Sequence, residues 1–319
     1  MGPAVSAAAL MGRWMRGAWL PACLLCSMAA FAAQSQGALD ARGSDAGVGP
    51  DIVDDTGQRV RLEHRATRIV ALSPHLTELL FAAGAGERLV GAVEFSNHPE
   101  AAKALPRLGS YEGPDLERIL ALKPDLVVAW ESGNGSRRIA QLRRLGLTVF
   151  TSEPRHLEDI PRTLEALGRL AGTSPVAREV AMDFRARLDA LRARYARSSA
   201  VDVFYQVWDK PVTTLNGDHL VSRVMELCGG RNVFADLEGL APVVSVEAVL
   251  DRDPRVIVAG GMADGARTWL QGWRRWPSLR AVREGHLVYI HPDHLQRHTP
   301  RILDGAEELC RVLDGVRGS

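Results

Sequence analysis

The sequence predicts an α/β protein of two lobes, each with a central, mainly parallel sheet flanked by helices, and one long helix that bridges the lobes. Three observations predict this class. Short β-branched runs alternate with helical patterns, one uninterrupted helical pattern divides these runs into two sets, and a similar helix–strand unit occurs once in each set. A chain of 319 residues, 46% of them hydrophobic, is long enough to build two hydrophobic cores.

The alternation of strands with helices is the first observation. Short runs rich in β-branched residues, separated by helical spacings, are typical of parallel sheets covered by helices. The first set of runs is RIVALS, LVGAVEF, LVVAW and TVFTSE, and the second is VDVFYQVW, VIVAGG and HLVYIHP. We expect ordered structure to begin near Ile52.

A long amphipathic helix between the two sets is the second observation. Pro175 suits the first turn of a helix, and one apolar stripe of about six turns follows it. The stripe consists of Val176, Val180, Phe184, Leu188, Leu191 and Tyr195. The pattern predicts an N-terminal lobe over residues 51–172, a bridging helix over 173–199 and a C-terminal lobe over 200–319.

An internal repeat is the third observation. Leu116–Ala129 (LERILALKPDLVVA) aligns without a gap with Val246–Ala259 (VEAVLDRDPRVIVA). Both segments have Glu in second place, Leu in fifth and Pro in ninth, and both end in Val-Ala. Each one predicts a helix, a proline stop and a buried strand, so the two lobes should have related topology. A generic helix–strand unit would produce part of this match.

The first 33 residues have the pattern of a cleaved signal peptide. Arg13 and Arg16 precede the apolar run AWLPACLLCSMAAFAA, which ends in an A-x-A motif and is interrupted by Pro21. Cys23 and Cys26 also allow a lipoprotein signal, although their preceding residues suit lipid modification poorly. Residues 34–50 lack periodicity and are interpreted as a flexible leader. We therefore expect an exported protein that is free in the periplasm.

Export bears on the two remaining cysteines, Cys228 and Cys310. Disulfides form in oxidising compartments, so an exported chain with one remaining pair should oxidise it. We predict a Cys228–Cys310 disulfide. Two inert buried thiols are the alternative.

Composition and motifs exclude several classes of function. The net charge is +1, without a basic or acidic block, which argues against a nucleic-acid partner or an anionic membrane surface. The sequence contains no G-x-S-x-G elbow, Walker loop or dinucleotide-binding glycine fingerprint, and GSYEG and AGG are isolated glycine motifs. These observations favour a binding protein over an enzyme.

Four segments carry a resemblance to a known family. They are LVGAVEFSNHPEAAKALPRLGSYEGPDLERILALKPDLVVAWESGN, MELCGGRNVF, VVSVEAVL and HLQRHTPRILDGAEELC. The chain from about Arg68 to Val312 resembles the helix-bridged (class III) periplasmic binding proteins for cobalamin, haem and iron siderophores. AWESGN and the PRI segment point to the cobalamin branch. The resemblance implies a periplasmic monomer that captures cobalamin (vitamin B12) for the membrane subunits of an ABC importer, with no catalysis and no cofactor of its own.

The resemblance also implies a set of ligand-binding residues. A corrin is a broad, partly apolar disc rimmed by amides, so its site needs flat side chains and a few polar groups. The residues implied are Phe95, Tyr111, Trp130, Asp293, His294, Leu295, Gln296 and Arg297. Several of them follow predicted strands, where ligands of α/β sheets bind. The alternatives are a core tryptophan at 130 and a solvated loop over 293–297.

This chain departs from the family pattern at three positions. Family members can carry Trp where this chain has Tyr111, another aromatic residue at Ala241, and a bulky aromatic residue at His294. These departures bear on which corrinoid is preferred.

Glu117 and Glu247 occupy equivalent places in the repeat. A carboxylate in the first turn of a helix is stabilised by the helix dipole, so local capping explains both residues in structural terms. The resemblance implies a second role, in which one glutamate from each lobe docks onto arginines of the membrane subunits.

Two other ligands fit parts of the sequence. Haem or a ferric siderophore would use the same fold, with Tyr111 and His298 as candidate iron ligands. A metal site could use His291, Asp293, His294 and His298, whose spacing is H-x-D-H-x-x-x-H. The loop character of this stretch, with Pro292 inside it, argues against the metal site.

Overall fold

The computed structural model describes residues 49–195, 198–261 and 265–318. The predicted signal peptide, Cys23 and Cys26, and the leader up to residue 48 lie outside the described residues. In the described part of the chain, no helix is both long enough and apolar enough to cross a membrane.

The N-terminal lobe is built on a parallel sheet. A short antiparallel hairpin, β1 (Asp51–Val53) and β2 (Arg59–Arg61), precedes this sheet. The four strands lie in the spatial order β4-β3-β5-β6, with β3 at Ile69–Ala71, β4 at Leu89–Ala92, β5 at Leu126–Trp130 and β6 at Val149–Ser152. The helices of this lobe are α1 (Pro74–Ala82), α2 (Leu116–Ala121), α3 (Glu131–Asn134), α4 (Ser136–Arg144) and α5 (Asp159–Ala171), with 3-10 turns at Gly86–Arg88 and Glu100–Ala104.

The bridging helix α6 runs from Ser174 to Tyr195. Phe184, Leu188, Leu191 and Tyr195 are buried, as the apolar stripe predicted. The start of the stripe differs from the prediction: Val176 is exposed and Val180 is only partly buried against the core, while Ala177 and Ala181 are buried. The reason is close packing against α5, where a Cβ added to Gly168 would lie 2.3 Å from the Cβ of Ala177. Small residues let the two helices approach.

The C-terminal lobe repeats the parallel sheet. Its strands lie in the order β10-β9-β7-β8, with β7 at Val201–Gln206, β8 at Gly230–Asn232, β9 at Val256–Ala259 and β10 at Leu287–Tyr289. The helices are α7 (Leu220–Leu227), α8 (Val246–Arg252), α9 (Gly265–Trp273), α10 (Arg280–Arg283), α11 (Pro292–Leu295) and α12 (Ile302–Gly318). The predicted α/β class is confirmed, and the short strands β1, β2 and β8 add to the predicted set.

The two sheets have the same topology. Read from its other edge, the C-terminal order β8-β7-β9-β10 matches β4-β3-β5-β6 of the N-terminal sheet. The predicted repeat is α2–β5 in one lobe and α8–β9 in the other. Even the residue before each repeat proline agrees, because Lys123 and Asp253 both have positive φ, at 47° and 40°. The internal repeat is therefore structural as well as sequential.

Alternation along the strands divides the core into three parts. In β5, Leu126 and Val128 face a central core that continues along α6 into the C-terminal lobe, whereas Val127 faces an outer core of the N-terminal lobe. In β9, Val258 joins the central core and Ile257 the outer core of the C-terminal lobe. Residues of opposite parity point to opposite faces of a sheet, so strands covered on both sides are apolar throughout.

Cys228 and Cys310 form the predicted disulfide, which joins the residue after α7 to α12. Both residues are fully buried in the central core. The bond closes a loop of 82 positions.

Removing this disulfide should destabilise the protein. We expect the variant Cys228→Ala/Cys310→Ala to lose about 2–4 kcal/mol of unfolding free energy, because the unfolded chain regains the freedom of the long loop. Urea denaturation followed by circular dichroism measures the loss. Wild-type protein unfolded with and without reductant is the control, and an unchanged midpoint on reduction would contradict the prediction.

Candidate functional site

The carboxyl ends of the strands in the two sheets adjoin each other. Arg297, which follows β10 and α11, donates a hydrogen bond from Nη2 to the carbonyl of Phe95, which follows β4, at 3.1 Å. The rings of Trp130, at the end of β5, and His298 lie 6.2 Å apart. We call this junction the interlobe site; it comprises Phe95, Tyr111, Trp130 and residues 291–301. Strand ends of this kind are where α/β sheets bind ligands.

Aromatic rings gather around Trp130. Its indole packs edge-on against His75 at 5.1 Å and lies 5.8 Å from the tilted ring of Tyr111. Both Trp130 and Tyr111 are half-buried, so each keeps part of its flat surface exposed. The backbone of this region is held by Asn134, which accepts from the Trp130 amide and donates to the carbonyls of Leu72 and Tyr111. The predicted flat residues Tyr111 and Trp130 are therefore neighbours.

Phe95 is the most exposed of the predicted aromatic residues. The residue follows β4, and 62% of its surface is exposed. Its backbone φ is +62°. A non-glycine residue with positive φ is held against its own preference by its surroundings. The hydrogen bond from Arg297 to its carbonyl is one such restraint.

Two buried histidines, His75 of the N-terminal lobe and His298 of the C-terminal lobe, lie beside Trp130, and the half-buried His219 packs against His298. The His298 ring is 5.3 Å from His75 of α1 and 5.7 Å from His219, which caps α7 by accepting a hydrogen bond from the amide of Val221. Both ring nitrogens of His298, and Nε1 of Trp130, are buried without a hydrogen-bond partner among the described residues. Sequence reasoning missed His75 and His219, because nothing local distinguishes them from surface histidines.

Burial keeps these three imidazoles neutral. It lowers the pKa of His75 to about 3, with a further contribution from the charge of Arg297. It lowers the pKa of His219 to about 4, assisted by Arg155. The pKa of His298 falls well below the usual value for the same reason, with smaller contributions from the two other histidines and Arg155. Desolvation disfavours the charged form of each ring.

Ion pairs hold the C-terminal side of the site in place. Arg297 pairs with Asp293 through Nε at 2.9 Å, and its side chain is only 11% exposed. Glu78 of α1, itself buried, accepts from Thr299 and from two nitrogens of Arg301. Burial lowers the pKa of Arg297, while Asp293 and Glu78 oppose that shift. The pairing of Thr299 and Arg301 with Glu78 was not predicted from the sequence, because Glu78 is more than 200 residues away from them.

Two residues of the predicted binding segment have mainly structural contacts. Leu295 has no exposed surface and packs in the central core, which leaves its side chain no open face toward a ligand. Gln296 is half-buried and donates from Nε2 to the carbonyl of Gly260 and to the hydroxyl of Tyr205. His294 is half-buried, with its ring 5.6 Å from His291.

The alternative metal site does not assemble. Asp293 is engaged by Arg297, and His298 is buried against His75 and Trp130, apart from the exposed His291. No group of three His, Cys, Asp or Glu side chains within the described ranges is arranged to hold a metal ion.

The C-terminal lobe has an exposed tryptophan near the end of one of its strands that sequence reasoning overlooked. Trp208, just beyond β7, is 44% exposed and lies edge-on to Trp269 at 5.9 Å. The AGG motif has a packing role here, because a Cβ on Gly261 would lie 1.9 Å from the Trp269 ring. Trp208 ends the run VDVFYQVW, so the strand-end rule applied to Trp130 could have found it.

A separate crevice lies near the end of α6. It has a volume of about 610 Å³ and is lined by residues that include His156, Glu158, Arg192, Tyr195 and Arg223. Its charges are largely paired with one another, Arg192 with Glu158 and Arg223 with Glu226. It offers one aromatic side chain among charged groups, so the interlobe site is the better candidate for a flat ligand.

Glu117 and Glu247 are both exposed and stand in the second position of their helices. The helices begin at equivalent caps, where Asp115 and Ser245 accept from the amides of Arg118 and Ala248. Backbone hydrogen bonding at the helix start, with help from Ser245, lowers the pKa of Glu247. The two carboxylates are thus presented in the same local geometry.

The buried histidines should make the protein sensitive to mild acid. The unfolded chain protonates histidine near pH 6.5, whereas these folded rings accept a proton only at much lower pH. Unfolding therefore takes up protons between those pH values. The unfolding free energy decreases as the pH is lowered, by up to about 1.4 kcal/mol per pH unit for each ring. Urea denaturation between pH 7 and pH 5 measures this slope.

Matched variants test whether these histidines cause the pH dependence of stability. His298→Leu should give a shallower dependence of stability on pH, and His64→Ala, at an exposed histidine, should leave it unchanged. Equal slopes for His298→Leu and the wild type would contradict the prediction.

Comparison with known proteins places the chain in a family. The model for the periplasmic binding protein family matches residues 69–294. The vitamin B12-binding protein of Vibrio cholerae serotype O1 is 41% identical over 251 residues, which are 78% of this chain and 89% of that protein. The crystal structure of the periplasmic vitamin B12-binding protein BtuF of V. cholerae superposes with a TM-score of 0.75 and 40% identity, covering 80% of this chain and 99% of that one.

A haem-binding protein has a similar structure. The periplasmic haem-binding protein of Pseudomonas aeruginosa has a TM-score of 0.67 and 29% identity, and the match covers 77% of this chain and 91% of that one. The family match and the extent of the V. cholerae similarity confirm the resemblance read from the sequence. This chain belongs to the periplasmic binding protein family.

Proposed function

We propose that this protein captures cobalamin at the interlobe site and delivers it to the membrane subunits of an ABC importer. The observation that carries the proposal is the 41% identity, over most of both chains, to a protein named for binding vitamin B12. The aromatic strand ends of the interlobe site support it independently.

The interlobe site matches the chemistry of a corrin. Phe95, Tyr111 and Trp130 offer flat apolar surfaces for the faces of the macrocycle. Arg297, which donates to the carbonyl of Phe95, and its partner Asp293 are polar side chains suited to the amides at the rim. His294 and Gln296 are half-buried beside them. Leu295 is left out of the proposed site because it is buried in the core.

Haem is the second candidate, because the P. aeruginosa haem-binding protein shares the fold. Tyr111 would have to bind iron as a phenolate. Burial and the neighbouring carboxylate of Glu112 instead raise the pKa of Tyr111, which disfavours the phenolate. His298, the other candidate iron ligand, is buried between His75 and His219. These contacts favour the corrinoid.

The protein is further proposed to act as a monomer in the periplasm, without catalysing a reaction and without a cofactor of its own. Its membership of the periplasmic binding protein family supports this role. The predicted signal peptide over residues 1–33 supports export.

Calorimetric titration with three ligands tests the choice of ligand. We expect cyanocobalamin to bind with a stoichiometry of one. Cobinamide, which lacks the nucleotide portion of cobalamin, shows how much of the affinity depends on that portion. Haemin, followed by its visible spectrum, is the control. Haemin binding with a charge-transfer band, together with no heat from either corrinoid, would overturn the proposal in favour of haem.

Glu117 and Glu247 are proposed to dock the loaded protein onto the transporter. Two lobes of the same topology present these carboxylates in equivalent exposed positions. A transporter with two related subunits could therefore receive one carboxylate from each lobe through basic side chains.

Reversing both charges tests the docking role. We expect Glu117→Arg/Glu247→Arg to abolish cobalamin uptake in cells while leaving the affinity for cyanocobalamin unchanged, because both side chains are exposed and neither is among the proposed ligand contacts. Glu87→Arg/Glu238→Arg, at one exposed glutamate from each lobe, is the matched control and should retain uptake. Normal uptake by the first variant would refute the docking role.

A further inference from the structure

One buried carboxylate joins the lobes next to the interlobe site. Glu78 lies on α1 of the N-terminal lobe and is only 4% exposed. Its Oε1 accepts from the hydroxyl of Thr299 at 2.7 Å and from Nε of Arg301 at 2.7 Å, and its Oε2 accepts from Nη2 of Arg301 at 2.6 Å. All three donors come from one short segment that precedes α12.

The geometry of this contact is directional. The guanidinium of Arg301 meets the carboxylate through two parallel hydrogen bonds, which restricts orientation as well as distance. Because the carboxylate is buried, a shift of the segment would leave charges without partners in a water-poor environment. The contact therefore holds residues 299–301 at a defined place relative to α1.

The same segment carries the predicted ligand contacts. Arg297 precedes Thr299 by two residues, and its Nη1 lies 3.7 Å from Glu78. Its other nitrogens reach Asp293, at 2.9 Å, and the carbonyl of Phe95, at 3.1 Å. Glu78 is thus connected through Arg297 to one residue from each lobe that the proposed ligand would touch, namely the backbone of Phe95 and the side chain of Asp293.

We infer that Glu78 is a positioning residue for ligand capture, which sets the spacing between Phe95 of the N-terminal lobe and the Asp293–Arg297 segment of the C-terminal lobe. This inference rests on the proposed function of the interlobe site. A flat ligand held between two walls loses contact with one of them when their separation changes by about an ångström, so affinity depends on this spacing.

Two variants separate positioning from a general effect on stability. Glu78→Gln keeps the shape of the side chain but removes its charge. Glu78→Leu/Arg301→Leu removes both charges, and apolar replacement of a buried pair commonly preserves stability while abolishing the directional bonds. We expect both variants to bind cyanocobalamin at least about tenfold more weakly than the wild type, at a temperature where circular dichroism shows them folded.

Asp54→Asn is the matched control. Asp54 is also a buried carboxylate, bonded to Arg143 at 3.0 Å and to the amide of Thr151, but all of its partners belong to the N-terminal lobe. The Asp54→Asn variant should have a lower urea midpoint and an affinity for cyanocobalamin within about twofold of the wild type. An equal loss of affinity in Asp54→Asn would assign the effect to general destabilisation and overturn the inference.

The outcomes distinguish the inference from the function on which it rests. Wild-type protein that binds no corrinoid would overturn the proposed function, and the inference falls with it. Wild-type binding that is matched by the double leucine variant would overturn the positioning role alone. Weak binding by both Glu78 variants, with normal binding by Asp54→Asn, is the expected result.

Discussion

A shared apolar core along α6 is the interaction on which the arrangement of the lobes depends. One face of each sheet contributes to it, through Val128 of β5 and Val258 of β9, and Phe184 and Leu188 of α6 belong to the same core. Because the buried stripe of the bridging helix belongs to this continuous core, the helix serves as part of the interior as well as a linker. Apolar burial of this extent resists separation of the lobes, since opening would expose core surface to water. The strand ends of both sheets therefore meet at one place.

Polar groups complete the junction where the apolar core ends. Glu78 and Arg301 cross from one lobe to the other as a buried pair, whereas His75, His219 and His298 remain neutral because of their burial. A charged pair with two parallel bonds specifies orientation, and neutral imidazoles fill space without adding uncompensated charge. Directional contacts thus define the site more sharply than hydrophobic packing could alone.

Duplication of the fold explains the symmetry of the outer surface. Each lobe repeats the unit of a capped helix, a left-handed residue before proline, and a central strand. Both copies of the unit have an exposed glutamate in the first turn of the helix, where the helix dipole favours a negative charge. Because it is exposed, neither lobe needs this glutamate for packing. The same two sheets depart from each other at their strand ends, with Phe95 and Trp130 in one lobe and Trp208 in the other. A symmetric scaffold therefore supports an asymmetric ligand site.

Local patterns in the sequence determined the strands of the two parallel sheets except β8, together with the bridging helix, the repeat and the disulfide pair. Periodicity and proline stops act over short distances, and two remaining cysteines leave one pairing. Local patterns also indicated Trp130, the last residue of β5, and Phe95, which lies shortly after β4. Tertiary packing alone decided the rest. Close approach at Gly168 buried Ala177 in place of Val176, and core packing buried the side chain of Leu295 completely. Glu78 and Arg301 are distant in sequence, and only the meeting of the lobes makes them partners.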